Sequence, residues 1–81
     1  MDVIALHIIS PEGTVVKTTV SAVTLPGTLG PFEVLKGHAA LISSLEKGEI
    51  VYVAEGAEHR VPILSGFVEV HDNHVDACVE A

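Results

Sequence analysis

Short apolar runs rich in β-branched residues alternate along the chain with turn signals that contain glycine, proline, aspartate or asparagine. The turn signals stand at residues 11–13, 25–27, 36–37, 47–48, 55–57, 65–66 and 72–73. Valine and isoleucine, which dominate the apolar runs, fit a pleated and half-buried surface. Short strands at this spacing are typical of an all-β sandwich or barrel.

The individual runs follow strand patterns. Residues 3–10 are apolar on both faces apart from His7, and the run 49–54 is apolar at every position after Glu49, so we expect both strands to be largely covered. Two alternating runs near the end place five side chains inward: Val68, Val70, Val75, Ala77 and Val79. Between these runs, Asp72-Asn73 suits a two-residue hairpin turn, because both residues tolerate positive φ.

The segment of residues 38–48 allows two interpretations. Its alanine and leucine residues favour helix, Leu41 and Leu45 stand four residues apart, and Gly48 would end such a helix. On propensity alone, however, a helix is no more favoured than an extended segment. Local propensity therefore does not decide between helix and strand here.

The composition limits the classes of partner. Eighty-one residues form one small domain, 1–81, with a limited core that a partner could help to stabilise. Cys78 is the only cysteine, so there is no internal disulfide, and we interpret it as an apolar packing residue. The formal charge of −7 makes nucleic acid an unfavourable partner and a basic protein surface a natural one.

The sequence contains no pattern typical of a membrane span or of a signal peptide. No apolar run approaches the ~18 residues of a membrane span. The start of the chain lacks the basic region of a signal peptide. We therefore expect a soluble chain that is not exported by such a signal.

The histidines give little support to a metal site. His71 and His74 flank the Asp72-Asn73 turn and Asp76 follows, but zinc sites need three or four ligands in fixed geometry. We interpret these histidines as solvated turn residues, and His7 as a hydrogen-bonded core or interface histidine. We expect no metal and no cofactor.

No hydrolase or phosphate-binding pattern is present. Ser65-Gly66 stands at an expected turn without a nucleophile elbow, and His38 would need a nucleophile and an orienting group within reach. Gly27 and Gly30 lack the lysine and hydroxyl residue of a phosphate-binding loop, and a turn with positive φ explains them better. We expect no enzymatic activity from this chain.

A carrier domain is the alternative function class. Lipoyl and biotinyl carrier domains are also acidic, β-rich and of similar length, and they display one modifiable lysine at a hairpin tip. Lys47 is the candidate by position, although its neighbours do not resemble the Asp-Lys-Ala or Met-Lys-Met tips of those domains. Lipoyl or biotinyl addition to Lys47, detected by intact mass, would identify this class.

Residues 25–48 resemble a signature of the N-terminal domain of the epsilon subunit of F-type ATP synthases. The matching features are Gly30, Val34-Leu35, Gly37-His38-Ala39, Leu41-Ile42 and Lys47-Gly48. Two more segments match in the right order. The first is the turn at residues 10–13. The second is the run 64–70, which resembles the family's Leu-Ser-Gly-Gly-φ-x-Glu-Val segment. Three ordered matches across nearly the whole chain make the resemblance specific.

The resemblance implies a flattened antiparallel β-sandwich of two facing sheets, with an extended strand within residues 38–48. It implies a non-catalytic rotor subunit of the central stalk that binds the gamma subunit and the polar loops of the c-subunit ring. Such a subunit couples ion-driven rotation to ATP synthesis at the cytoplasmic face of the bacterial inner membrane. It is associated with the membrane only through the complex.

The resemblance also assigns two sets of contact residues. The gamma-binding set is Ser10, His38, Ala39 and Ser43. The ring-facing set is Thr28, Leu29, Gly30, Pro31, Phe32 and Glu33. The chain departs from the family pattern at Pro31, Glu33, Lys36 and Ala40, and any peculiarity of its ring contact is expected within residues 28–36. The family's second domain, a helical hairpin that can bind ATP or inhibit the enzyme, has no counterpart in these residues, and we expect neither activity from them.

Overall fold

The chain folds into nine β-strands. A computed structural model describes all residues, 1–81. The strands are β1 (Ile4–Ser10), β2 (Gly13–Val20), β3 (Ala22–Leu25), β4 (Phe32–Val34), β5 (Leu41–Leu45), β6 (Gly48–Ala54), β7 (Ala57–Ile63), β8 (Ser65–His71) and β9 (His74–Glu80). The structure has no helix with the length and apolar character needed to cross a membrane.

The strands form two facing sheets. One has five strands in the order β2-β1-β9-β8-β5, and the other has four in the order β4-β3-β6-β7. Neighbouring strands are antiparallel, apart from β1 and β9, which run parallel. The domain measures 29 by 23 by 18 Å. The predicted all-β class and flattened sandwich are confirmed.

The core lies between the two sheets and is entirely apolar. Fifteen buried apolar side chains from both sheets form one cluster. All five inward residues predicted on β8 and β9 belong to it, none of them more than 4% exposed. Strand β1 is covered as expected, with Ile4, Leu6 and Ile8 fully buried. Alternation predicted the buried positions of β8 and β9, because each of these two strands turns one face to the core.

Leu41–Leu45 form strand β5, as the resemblance predicted and against the local helix propensity. β5 pairs with β8 over five residues. Its alternation buries Leu45 and exposes Ile42. This pairing satisfies the backbone groups of β5 that face β8, which outweighs propensity differences of at most about 0.7 kcal/mol per ordinary residue.

The turns agree with prediction at the β8–β9 hairpin and differ at residues 65–66. Asp72 and Asn73 have φ values of 46° and 59°, which confirms the two-residue turn. Ser65 and Gly66 open strand β8, so the expected turn at this place was wrong. The chain instead passes from β7 to β8 through Leu64. Gly66 is required for close packing, since an added Cβ would lie 2.5 Å from the Cys78 carbonyl oxygen.

Two other glycines also differ from expectation. Gly30 has the predicted positive φ, at 124°, but Gly27 does not. Gly27 is needed for space, because a Cβ there would lie 2.7 Å from the Gly30 carbonyl oxygen. Gly48 opens strand β6, so the connection from β5 consists of residues 46–47 alone.

Residues 26–28, which we call the crossing segment, carry the chain from one sheet to the edge of the other. β3 belongs to the four-stranded sheet, but the crossing segment bonds to the end of β5. The Glu46 N–H donates to the Pro26 carbonyl at 2.9 Å, and the Thr28 N–H donates to the Ser44 carbonyl at 3.1 Å. The Thr28 and Ser44 hydroxyls share a further hydrogen bond of 2.7 Å. The crossing segment thus covers part of the β5 edge.

Glu55 occupies a left-handed backbone conformation that suits glutamate poorly. Its φ is 52°, and it forms the β6–β7 turn with Gly56, whose φ is 75°. The Glu55 N–H donates to Asp2 Oδ2 at 2.7 Å, a contact that does not depend on the side chain at position 55. We expect Glu55→Asn to raise the free energy of unfolding by about 0.5–1 kcal/mol, because asparagine tolerates this region better.

Urea denaturation followed by far-UV circular dichroism measures this gain. Glu46→Asn is a matched control, because it removes the same charge at an exposed loop position without positive φ. An equal gain from Glu46→Asn would show that reduced negative charge, rather than backbone conformation, stabilises the domain.

Candidate interaction surfaces

The solvent-facing side of the five-stranded sheet, which we call the outer face, carries both apolar and acidic side chains. Side chains alternate along a strand, so the neighbours of the buried residues point to this face. Its central members are Ile9, Ile42, Phe67, Glu69, Asp76 and Cys78.

Phe67 and Ile42 form an exposed apolar pair on the outer face. Phe67 is 55% exposed and Ile42 is 76% exposed. Ile42 lies opposite Glu69 on β8, so Phe67 is its diagonal neighbour. Phe67 also lies opposite Cys78, and both line a groove of about 340 Å³. Clustered apolar side chains in solvent are typical of an interaction site.

Carboxylates on the outer face are not matched by cations of this chain. Glu69 lies directly opposite Asp76, a placement of like charges that destabilises an isolated sheet. Glu69 forms no ion pair, and Asp76 Oδ2 lies 3.8 Å from Nε2 of His71. Lys17, two strands away from Asp76, forms no ion pair either. A basic partner surface would complement this face.

The four residues of the predicted gamma-binding set do not form one cluster. Ser10 ends β1 at one end of the outer face. His38 and Ala39 lie in the β4–β5 loop at the opposite end, beside the β8–β9 turn. Ser43 is half-buried, and its side chain points to the inner side of β5. Three of the residues therefore frame the outer face, whereas the exposed apolar pair within it was not predicted.

The predicted ring-facing loop presents one apolar side chain to solvent. Leu29, at its tip, is fully exposed, with a relative accessibility of 104%. Phe32 is half-buried and packs against the core, so it anchors the base of the loop. The other predicted residues are exposed: Thr28, Gly30, Pro31 and Glu33.

Lys47 does not lie at the tip of a hairpin. It is exposed in the connection between β5 and β6, and these strands belong to different sheets. The carrier-domain hypothesis requires a lysine presented by a hairpin turn, so this geometry gives it no support.

The histidines of the outer face pack against their neighbours. The rings of His71 and His74 stack with centroids 5.4 Å apart. No group of three or more His, Cys, Asp or Glu side chains is arranged to hold a metal ion.

His7 Nε2 is buried without a hydrogen-bond partner, so the expectation of a hydrogen-bonded histidine was wrong for this atom. The backbone groups around it are already paired within the sheet, since β1 has a strand on each side.

Comparison with known proteins shows the family to which the chain belongs. Residues 3–81 match the family model described as the beta-sandwich domain of the ATP synthase delta/epsilon chain. The chain is 46% identical over 70 residues to the ATP synthase epsilon chain of Desulfitobacterium hafniense, covering 86% of this chain and 53% of that protein. It is 41% identical over 80 residues to the ATP synthase epsilon chain of Aliarcobacter butzleri, and the match covers 99% of this chain and 64% of that protein. The chain therefore spans between about half and two thirds of these curated relatives.

Solved structures share the fold. A chain of the cryo-EM structure of the Euglena gracilis mitochondrial ATP synthase, described as OSCP/F1/c-ring, superposes with a TM-score of 0.90 at 25% identity, covering 100% of this chain and 52% of that one. A chain of the central stalk and c-ring structure from Tetrahymena thermophila superposes with a TM-score of 0.81 at 15% identity. The superposition covers 98% of this chain and 64% of that one, and at this identity it shows the fold alone. With residues 3–81 matching the family model, the chain belongs to the delta/epsilon chain family of ATP synthases, as its β-sandwich domain.

Proposed function

We propose that this chain is a non-catalytic rotor subunit of the central stalk that couples ion-driven rotation to ATP synthesis. The observation that carries the proposal is the outer face, where an exposed apolar pair and unmatched carboxylates lie on one sheet. In water this face leaves apolar surface exposed and like charges adjacent. A partner that buries the apolar surface and supplies cations relieves both costs.

The gamma subunit is the proposed partner of the outer face. Ser10 at one end and the 38–39 pair at the other are separated by the length of a seven-residue strand, about 20 Å. The exposed apolar pair lies between these ends and supplies the centre of the contact. Glu69 and Asp76 face basic side chains of gamma in this arrangement.

Residues 28–33, the loop before β4 together with the first two residues of that strand, are the proposed contact with the polar loops of the c-subunit ring. The crossing segment joins the base of this loop to β5, and β5 carries Ile42 on the outer face. A load on Leu29 therefore passes through backbone hydrogen bonds to an edge of the gamma-facing sheet. In the proposed assembly, the chain lies at the cytoplasmic face of the bacterial inner membrane and meets the membrane only through the ring.

Binding to gamma tests the proposed function. The tagged chain should retain the purified gamma subunit of the same organism, and the affinity should fall as salt is raised, because charge complementarity contributes. An unrelated β-sandwich of similar net charge is the control for nonspecific binding. Recovery of no gamma subunit at low salt would overturn the proposal.

Leu29→Ser is expected to weaken capture of the detergent-solubilised c-subunit ring by the chain–gamma complex about tenfold. Burial of a leucine side chain contributes about 1.5 kcal/mol or more, and 1.4 kcal/mol corresponds to a factor of ten. The stability of the chain should not change, because Leu29 is fully exposed. Val15→Ser is the control, because Val15 is also an exposed apolar residue but lies on β2, at the edge of the five-stranded sheet opposite β5. Equal losses in both variants, or no loss in Leu29→Ser, would argue against this contact.

A further inference from the structure

Asn73 connects three parts of the chain at one end of the outer face. Its backbone, with φ of 59°, forms the β8–β9 turn. Its carbonyl oxygen accepts a hydrogen bond of 2.9 Å from the Ala5 N–H, near the start of β1. Its side-chain Oδ1 accepts a hydrogen bond of 2.8 Å from the Gly37 N–H in the β4–β5 loop.

The β4–β5 loop, residues 35–40, has no other hydrogen bond to the rest of the chain. Its remaining bonds are internal: the His38 N–H donates to the Leu35 carbonyl at 3.1 Å, and His38 Nδ1 lies 2.7 Å from the Ala39 carbonyl oxygen. All residues of the loop are exposed except His38, which is half-buried, so packing holds the loop weakly. Its position therefore depends mainly on Asn73.

Local turn chemistry accounts for the backbone conformation of Asn73 but not for the hydrogen bond of its side chain to Gly37. Asp-Gly is a stronger hairpin signal than Asp-Asn, because glycine has no steric cost at positive φ. Glycine at position 73 would favour the turn but would provide no acceptor for Gly37. The side-chain amide of Asn73 thus serves the loop rather than the turn.

We propose that Asn73 is a positioning residue for gamma binding, which holds the β4–β5 loop in the place where His38 and Ala39 meet gamma. This inference rests on the proposed function. The loop leads directly into β5, and Ala40, Ile42, Glu69 and His71 line one groove of about 280 Å³, so the loop continues the outer face. A loop that is ordered before binding loses less conformational entropy when the partner arrives.

Three variants of the full chain test the inference. Asn73→Gly keeps the turn and the bond to Ala5 but removes the acceptor. Asn73→Asp keeps an acceptor and tolerates the turn. Asp72→Gly is the control, because position 72 also has positive φ but its side chain makes no contact with the loop. Amide hydrogen exchange of Gly37 by NMR reports on the loop without any partner, and titration with gamma reports on binding.

In Asn73→Gly, Gly37 should exchange about tenfold faster, and the affinity for gamma should fall about three- to tenfold, the effect of losing one hydrogen bond. Asn73→Asp should stay within about twofold of the wild type in both measurements, and so should Asp72→Gly. Urea denaturation should show Asn73→Gly at least as stable as the wild type.

Each contrary result has a distinct meaning. Unchanged Gly37 exchange in Asn73→Gly would overturn the role of Asn73 in holding the loop. Faster exchange with unchanged affinity would overturn its role in binding, and so would equal losses in Asn73→Gly and Asn73→Asp. Failure of the wild type to bind gamma would overturn the proposed function together with this role, whatever the exchange rates.

Discussion

Phe67→Ala is expected to weaken binding of the gamma subunit roughly 30- to 150-fold while leaving the chain folded. Phe67 is 55% exposed in the free chain, so a partner can still cover about half of its side chain. At ~25 cal/mol per Å², covering half of the 150–250 Å² of a phenylalanine contributes about 2–3 kcal/mol, which gives this range of affinity. Buried aromatic side chains at interface centres commonly have effects of this size.

The matched control is Leu64→Ala. Leu64 is 57% exposed, almost the same fraction as Phe67, but it lies in the β7–β8 connection among residues such as Pro62 and Ala81. Titration calorimetry with gamma compares the two variants, and circular dichroism confirms that both are folded. Equal weakening by both variants, or wild-type affinity of Phe67→Ala, would show that the outer face is not the gamma-binding surface.

Alternation predicted the buried side of β8 and β9 because each strand has one dry face and one wet face. The same pattern contained the signal for Phe67, since a strand that points Val68 inward must point its neighbour outward. The pattern of inward residues does not by itself mark Phe67 as a contact residue. An exposed phenylalanine becomes informative only when the fold brings Ile42 of another strand beside it.

Other features depended on contacts between distant parts of the sequence. Residues 38–48 were ambiguous because the choice of strand depends on pairing with β8, whose partner residues lie 21 to 29 positions later in the sequence. The role of Asn73 toward Gly37 joins residues 36 positions apart, so local turn chemistry explains only half of its environment. Both sets of contact residues came from the family resemblance. In the gamma-binding set, for example, serine, histidine and alanine form no sequence pattern that would indicate an interface.

Gly66 is another position that depends on distant contacts. Ser-Gly favours a turn by local propensity, and only the neighbouring strand β9 explains why glycine is needed within a strand here. We expect Gly66→Ala to lower the free energy of unfolding by about 3 kcal/mol or more, and Gly66→Val to prevent folding. The added Cβ would lie 2.5 Å from the Cys78 carbonyl oxygen and 3.1 Å from Val79 Cα. Overpacking costs about 1–3 kcal/mol when side chains can move, and here backbone atoms of β9 must move. A domain of this size has only about 4–12 kcal/mol of stability in total.

Gly48→Ala is the control for this prediction. Gly48 also opens a strand without positive φ, but its added Cβ would meet side-chain atoms of Pro26, the nearest at 3.0 Å. Pro26 lies in the crossing segment, which can shift more easily than a central strand, so we expect a loss of about 1 kcal/mol. Urea denaturation followed by far-UV circular dichroism suits a chain without tryptophan. If Gly66→Ala loses no more stability than Gly48→Ala, close packing against β9 does not explain the glycine at position 66.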